Sequence, residues 1–558
     1  MSIPSSSARG ISHTPPLERG KACLRCRRRK MKCDGARPMC TQCVRSDQVE
    51  CEYTDGTLTG SQILEQNVAH LEARIRELEG KAGESITLHD PHSTFSQAQS
   101  RPSATVTVPS GVPRGDPSGR WQVPEVLLDS FVNHAYAFGF FLNMPRFLAR
   151  ISRAPQDQSV PPVIQYAVYL IGLLTSQDPL YVNTEPRILS LSMAALAAAV
   201  SNIQPEDLLY ILQTEILLSN YFFHKDRRLE GAYHVTAAVS FVLGSNLHQI
   251  TDWKGTGAVS TAAFQLPMPA DAIEQGERIN AFWTVFCLDR CWSVALGSHS
   301  ALARRNLLSA QILTPLPFDM IDYEQGLLPE LSTVPTIQKL LTEQYTDITH
   351  FTTARAMVVI LFSEAVSLTS DGRSDDPNFR ARVASLEEVI NQYKRNFSTV
   401  LQHLQTASEP SPAASGSLLG RPYAARCALY IQTLIICTEI KLHAPLDQDQ
   451  GVNTILSHAL QAADILQDLD VTTVGYVDPF LGVMWTIVGQ VLVHALMVER
   501  SMQPVGTTAS SERDTIIQNA LGQIINVMEA LTVADPTATL LAHELRNLRQ
   551  QQAMLHST

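Results

Sequence analysis

From Trp121 to about Leu555, apolar residues recur every three to four positions, in long runs separated by short Pro-, Gly- and Ser-rich breaks. A period near 3.6 lays apolar residues on one face of a helix, and no comparable run shows the alternation that a half-buried strand needs. The pattern predicts helices over 163–174, 206–223, 232–247, 275–296, 337–368, 421–442, 454–469 and 511–531, with surface loops near 255–270, 370–377 and 408–420. The run 480–498 is apolar enough in principle to cross a bilayer. Gln490 and His494 lie inside it, Asp478 and Pro479 precede it, Glu499 and Arg500 follow it, and no cluster of basic residues flanks one side. It therefore reads as a central helix of an all-helical domain, 121–558, with no membrane partner.

Upstream the pattern changes. Leu64, Val68, Leu71, Ile75 and Leu78 are spaced 4-3-4-3, a heptad seam with β-branched residues at a and leucine at d. That choice favours a short parallel coiled coil between two copies of the chain, with 54–80 serving as linker and dimerisation helix. The alternative is an amphipathic helix packed on its own chain. Residues 1–18 are rich in Ser and Pro, and 81–120 in Ser, Thr, Pro and Gly with few large apolar side chains, so a disordered tail and a disordered linker are expected there.

Charge sharpens this division. The 558-residue chain carries −11, yet 19–53 holds ten Lys and Arg against four Asp and Glu, a balance of +6 that leaves −17 for the remainder. A basic segment on an acidic chain points to a polyanion as its partner and keeps the acidic part clear of it. The same segment holds six of the ten cysteines, Cys23, Cys26, Cys33, Cys40, Cys43 and Cys51, spaced C-x2-C-x6-C-x6-C-x2-C-x7-C in two nearly repeated halves. Two tetrahedral zinc ions need eight ligand positions, which six thiolates fill when two sulfurs each serve both metals. The bridging pair is most simply the first cysteine of each half, Cys23 and Cys40. Among these ligands stand Arg25, Arg27, Arg28, Arg29, Lys30 and Lys32, a density of cations that a packed core does not bury and that phosphates neutralise. A disulfide knot would leave the basic run unexplained, and no signal peptide precedes the cysteines. An RNA-binding module would want aromatic side chains for stacking, and none lies between Cys23 and Cys51. Cys287, Cys291, Cys427 and Cys437 sit in apolar helical contexts and read as buried reduced thiols.

The run from Cys23 to Asp34, followed by Arg37, Pro38, Met39, Cys40 and Cys43, resembles the fungal Zn2Cys6 binuclear-cluster DNA-binding domain. The resemblance implies a nuclear, sequence-specific regulator of RNA polymerase II genes, whose first helix meets CGG-type triplets in the major groove of double-stranded DNA. By position Lys30 matches the base-reading lysine, Arg29 stands beside it, and Pro38 lies in the loop joining the halves. A second, looser resemblance covers Glu277 to Trp283, Leu288 to Arg290 and Ala295 to Gly297, which are similar to the fungal-specific transcription-factor regulatory domain, or middle homology region. Gly244 to His248 and Thr314 to Pro317 fall where that domain has its Gly-Leu-His turn and its closing proline element. The arginine run before Phe-Trp is reduced to Arg278, and Gly297 to Ser300 replace the usual Gly-Arg-Pro.

Phe282, Trp283 and Phe286 share a helical face and read as core, and Asp289 with Arg290 as a buried ion pair locking helices together, with a ligand contact as the alternative. The acidic and apolar stretch Phe318 to Glu324 is expected to pack as a loop on the helical domain, with a transcriptional activation segment as the alternative. His543-Glu544 begins a zinc-protease pattern, but Asn547 stands where its second histidine must be. Phosphate loops, dinucleotide fingerprints and nucleophile elbows are absent, so no enzyme is expected.

The expected organisation is a tail (1–18), a zinc-cluster DNA-binding module with two Zn2+ (19–53), a coiled-coil segment (54–80), a linker (81–120) and an all-α regulatory domain (121–558). The expected function is a homodimeric transcription factor of the nucleus that recruits transcription machinery or co-regulators, a pathway-specific regulator of metabolic genes. The alternative is a receptor for a small-molecule effector in which DNA binding is the output.

Overall fold

The computed structural model describes residues 22–46 and 51, and then 125–557 apart from short internal stretches, the longest being 407–420. The expected tail 1–18, the linker 81–120 and the heptad residues Leu64, Val68, Leu71, Ile75 and Leu78 lie outside the described residues. The chain divides into two compact units, Met1–Thr107 and Val108–Thr558.

The described residues of the first unit hold two short helices, α1 (Leu24–Arg28) and α2 (Thr41–Arg45). Its buried side chains are the cysteines, with Ala22, Met31 and Met39 half-buried against them. Aliphatic and aromatic residues that would form a core are missing among its described residues.

All regular structure described in the second unit is helical. It opens with α3 (Glu125–His134), α4 (Met144–Ile151), α5 (Pro162–Ser176), α6 (Glu185–Ser201), α7 (Leu208–His224) and α8 (Arg228–Gly244). The middle consists of α9 (Ala272–Ala295), α10 (Ala301–Arg304), α11 (Met320–Glu324), α12 (Thr336–Thr342) and α13 (Phe351–Asp371). The rest is α14 (Pro377–Thr406), α15 (Arg421–His443), α16 (Val452–Gln467), α17 (Pro479–Ser501), α18 (Glu512–Ala534) and α19 (Thr539–Ser557). Neighbours in sequence pack as pairs: α3 on α5, α5 on α6, α7 on α8, α17 on α18 and α19. Two helices tie the pairs into one core. α9 packs on α7, α8 and α13, while α17 packs on α15, α16 and α9.

α7 shows what this burial demands. Every residue from Ile211 to His224 is buried, polar ones included, and a buried polar group must be hydrogen-bonded. Gln213 accepts from Phe141 N (2.7 Å) and donates to Gly139 O (3.1 Å), and Asn220 Nδ2 donates to Phe138 O (3.0 Å). Glu215 meets His234 Nδ1 at 2.5 Å. These bonds fasten the segment 138–141 along α7. That segment turns at Gly139, whose φ of +73° is the left-handed region that glycine enters without steric cost. Gly172 answers a different need. A Cβ built there would stand 2.0 Å from Leu127 O, so α3 rests directly on the backbone of α5.

Most predicted helices are present within a few residues of their expected ends. The span 337–368 is instead two helices, α12 and α13. The carboxylate of Asp319 accepts from Phe351 N (3.4 Å), Thr352 N (3.1 Å) and Thr352 Oγ1 (2.8 Å), capping α13 afresh. Phe282, Trp283 and Phe286 are core residues, as expected. The expected Asp289–Arg290 ion pair is not what forms. Asp289 accepts from Ser300 Oγ, Ala301 N (2.8 Å) and Leu302 N (3.3 Å), capping α10, while the Arg290 guanidinium lies 5.2 Å from the Phe286 ring.

The stretch Phe318 to Glu324 packs on the helical unit, with Tyr323 buried against Gly276 and its hydroxyl accepting from Phe318 N (3.0 Å). Cys287, Cys291 and Cys437 are buried thiols and Cys427 is half-buried. Two helices, Phe351–Ser370 and Pro479–Ser501, are long and apolar enough to cross a membrane, but 72% and 67% of their apolar windows are buried inside the unit, as core helices are.

One buried titratable group gives the unit a pH dependence. His224 ends α7 with Nε2 3.0 Å from Thr537 Oγ1 and 3.4 Å from Asp535 Oδ2. Burial disfavours its charged form and pushes its pKa from 6.5 down to about 4, against the pull of Asp535. Above 6.5 the group is neutral in both states and contributes no pH dependence. As pH falls from 6.5 toward 4, the unfolded chain binds a proton that the native chain refuses, so stability declines, by about 2–3 kcal/mol through this group. Urea unfolding across that window should show a steeper loss for the natural chain than for His224→Gln; parallel curves would remove His224 as the cause.

Candidate metal centre and nucleic-acid interface

The two CxxC pairs fold alike. Cys23 is the N-cap of α1, its Sγ accepting from Cys26 N at 3.5 Å, and Cys40 is the N-cap of α2, its Sγ accepting from Cys43 N at 3.4 Å. Each helix thus begins on a sulfur, where its N-terminal partial positive charge favours a thiolate. The two capping sulfurs meet between the halves, 3.8 Å apart. Cys23 Sγ is also 3.8 Å from Cys43 Sγ, and Cys26 Sγ is 3.7 Å from Cys40 Sγ. Sulfurs bound about 2.3 Å from one tetrahedral zinc lie about 3.8 Å from each other, so this spacing suits the metal.

The sulfurs form two sets of four, each set within 4.8 Å: Cys23, Cys26, Cys33 and Cys40, then Cys23, Cys40, Cys43 and Cys51. Cys23 and Cys40 belong to both. Burial pushes the Cys23 thiol up to about 12 and the Cys40 thiol higher still. A divalent cation held by such sulfurs would supply the field that keeps them ionised.

The cations stand around this cluster on α1 and the turn after it. Arg27, Arg28, Arg29, Lys30 and Lys32 are exposed, and no acidic side chain among the described residues pairs with them; Arg25 is half-buried. The helix closes in a Schellman motif, with Met31 N donating to Cys26 O (2.9 Å) and Lys30 N to Arg27 O (3.3 Å). The left-handed residue of that motif is Lys30, at φ +52°. Glycine is the usual occupant, and a side chain there costs about 1 kcal/mol or more. The sequence showed the lysine and hid its conformation. It also hid the role of Asp34, whose carboxylate receives Thr41 N (3.0 Å) and the Thr41 hydroxyl, tying the first half to the start of α2.

In the helical unit, the two elements singled out beside α9 are joined. Leu313 N donates to His248 O (3.0 Å), Thr314 Oγ1 to Leu247 O (2.6 Å), and Trp283 Nε1 to Pro315 O (2.6 Å). His543 is paired with Asp226, and Glu544 with Arg228.

Comparison with known proteins agrees with both units. Residues 21–59 match the family model of the fungal Zn(2)-Cys(6) binuclear cluster domain, and residues 128–402 that of the fungal specific transcription factor domain. Helices α15 to α19 belong to the same core but lie beyond the second match. Among curated proteins, the chain is 26% identical over 446 residues to the citrinin biosynthesis transcriptional activator mrl3 of Monascus ruber, covering 69% of this chain and 77% of that one. It is equally similar to the citrinin biosynthesis transcriptional activator ctnR of Monascus purpureus, at 26% over 69% of this chain and 68% of the relative. A shorter match, 33% over 133 residues, is to the transcriptional activator protein acu-15 of Neurospora crassa, covering 21% and 14% of the two chains. No solved structure matches. A zinc-binding cysteine cluster with a cationic face, joined to this helical domain, makes the chain a member of the fungal Zn(2)-Cys(6) binuclear-cluster transcription factors, a DNA-binding family of regulators and not of enzymes.

Proposed function

We propose that this chain holds two Zn2+ ions, bridged by Cys23 and Cys40, and uses the cluster to present the end of α1 to CGG-type triplets in the major groove. The observation that carries this reading is the sharing of Cys23 and Cys40 between two sulfur tetrads directly beside an exposed run of cations. Lys30 reads a base edge. Arg27, Arg28, Arg29, Lys32 and Arg25 meet phosphates or flanking bases, which fixes the register of the module on the duplex.

One triplet specifies too few base pairs to select a genomic site, so a second module is needed. The heptad residues Leu64, Val68, Leu71, Ile75 and Leu78 supply it by pairing two chains, and a symmetric dimer asks for two triplets arranged by that symmetry. The place of action is the nucleus, where the helical domain engages co-regulators or transcription machinery. Because two relatives are named as activators of a biosynthetic pathway, control of a biosynthetic gene set is the favoured role. An effector for the helical domain is part of the reading, since that domain encloses a cavity lined by buried polar atoms lacking partners.

The test compares two substitutions on a two-triplet probe. Lys30→Ala should cost about 1–3 kcal/mol and flatten discrimination at one triplet, the expected loss of a base contact. Arg27→Ala should weaken binding to every sequence and lower the salt slope by about one unit, the expected loss of a phosphate contact. Equal, sequence-independent losses for both would end the assignment of Lys30.

A further inference from the structure

The cavity of the helical unit measures about 140 Å³ and lies between α7, α9, α13, α15 and the start of α17. Its walls include the aromatic side chains Phe140, Trp283, Tyr430 and Tyr476. Three wall residues carry buried polar atoms that find no hydrogen-bond partner among the described residues: Asn280 Oδ1, the Tyr476 hydroxyl and Arg355 Nε. Native interiors rarely leave such atoms unpaired, and three around one space call for something to pair them.

The charges on the walls narrow the choice. Arg355 and Arg426 bring guanidinium groups, Asp319 and Asp478 carboxylates. The two acids are already engaged. Asp319 caps α13, and Asp478 accepts from Phe480 N (3.0 Å) at the start of α17 and from Arg355 Nη2 (3.1 Å). The Arg355 side chain lines the cavity and keeps 32% of its surface accessible. The guanidinium lies over the Tyr430 ring (4.6 Å) with Nη2 on Asp478, and its planar fork has further N–H donors, an arrangement suited to an incoming carboxylate. Asn280 Oδ1 asks for a donor instead, and the tyrosine hydroxyl takes either role. Size sets the body of the ligand: an apolar cavity of about 150 Å³ accepts one benzene ring.

We propose that this cavity binds a small monocyclic hydroxycarboxylic acid, its carboxylate on Arg355, its ring among Trp283, Tyr430 and Tyr476, and its hydroxyl on Asn280. The inference rests on the reading of the helical domain as effector-responsive and supplies the chemical class of the effector. A bound ligand would add a bridge between α9, α13 and the segment leading into α17, which already pack on one another.

The experiment uses the full-length zinc-loaded chain with 4-hydroxybenzoate, benzoate and benzamide as probes, read by thermal unfolding and titration calorimetry. At about 10 mM, 4-hydroxybenzoate should raise the melting temperature of the helical unit by about 2–4 °C, benzoate by less, and the uncharged benzamide not at all. Arg355→Lys keeps a cation beside Asp478 but removes Nε, and should weaken both acids about tenfold or more. Asn280→Ala should abolish the preference for 4-hydroxybenzoate over benzoate while leaving benzoate binding in place. Should either variant fail to fold, the comparison of acid with amide on the natural chain decides alone. No stabilisation by either acid, equal stabilisation by benzamide, or unchanged affinity in Arg355→Lys would overturn the site. Acid binding that leaves DNA affinity and co-regulator recruitment unaltered would overturn the effector reading and leave the binding site standing.

Discussion

Cys40→Ser is expected to strip the DNA-binding module of both its metal ions and to unfold it, whereas Cys51→Ser should release one. Cys40 Sγ belongs to both tetrads and Cys51 Sγ to one, so the first substitution opens two coordination spheres and the second a single sphere. Nothing else in the module compensates. Its buried described side chains are cysteines, with only Ala22, Met31 and Met39 half-buried beside them. Metal binding is then nearly the whole folding free energy of the module, about 10 kcal/mol or more for each structural zinc. Elemental analysis of purified chain should read two zinc ions in the natural protein, none in Cys40→Ser or Cys23→Ser, and about one in Cys51→Ser. The far-UV helical signal should persist in all three, because the second unit has an apolar core of its own. Equal metal loss for all six cysteines would dismiss the bridging assignment, and a natural chain with a single zinc would dismiss the binuclear cluster.

The next largest effect is expected at Gly172. Its substitution by alanine places a methyl group 2.0 Å from the backbone oxygen of Leu127, and a backbone oxygen cannot rotate away as a side chain would. Either α3 lifts off α5 or α5 shifts against α7, and both motions uncover Phe131 and Leu127, which are buried. Overpacking of this kind costs about 3 kcal/mol or more when no rotamer relieves it. Gly522 is the built-in control. It lies inside α18 with nothing within 4 Å of the corresponding Cβ, so Gly522→Ala should stabilise by about 0.5–1 kcal/mol through helix propensity alone. Denaturant midpoints measured on the full chain should therefore move in opposite directions for the two glycines. A neutral Gly172→Ala would mean that α3 is not seated as described.

How far the sequence could be read depended on the range of the interactions involved. The metal cluster was legible because its ligands lie between Cys23 and Cys51, and local spacing carries the geometry. Most helices were legible because their signal is periodic and local, as for α15, expected over 421–442 and found at Arg421–His443. α14 was passed over although its signal was present: Phe379, Val383, Leu386, Ile390, Tyr393 and Phe397 form one buried stripe on an otherwise polar helix. The break between α12 and α13 was not legible, because the periodicity runs on and the cap that divides them comes from Asp319, 32 residues before Phe351. Asp289 misled for the same reason. A neighbouring arginine suggested a partner, while its real partners, Ser300, Ala301 and Leu302, come from the start of the next helix and the residue before it. The cavity was least legible of all, since its walls run from Tyr136 to Leu481 and only the fold brings them together.

Lys30 occupies the left-handed position that closes α1, and with the base contact proposed for it this conformation would set selection for stability against selection for recognition. A library of variants sorted only by folding or expression would drift toward glycine there, because glycine alone enters that backbone region freely. Sorted by promoter output, the same library would hold the lysine. Two such selections run side by side would disagree at this codon more than at the exposed arginines before it, and the disagreement would mark a recognition residue without any DNA-bound structure.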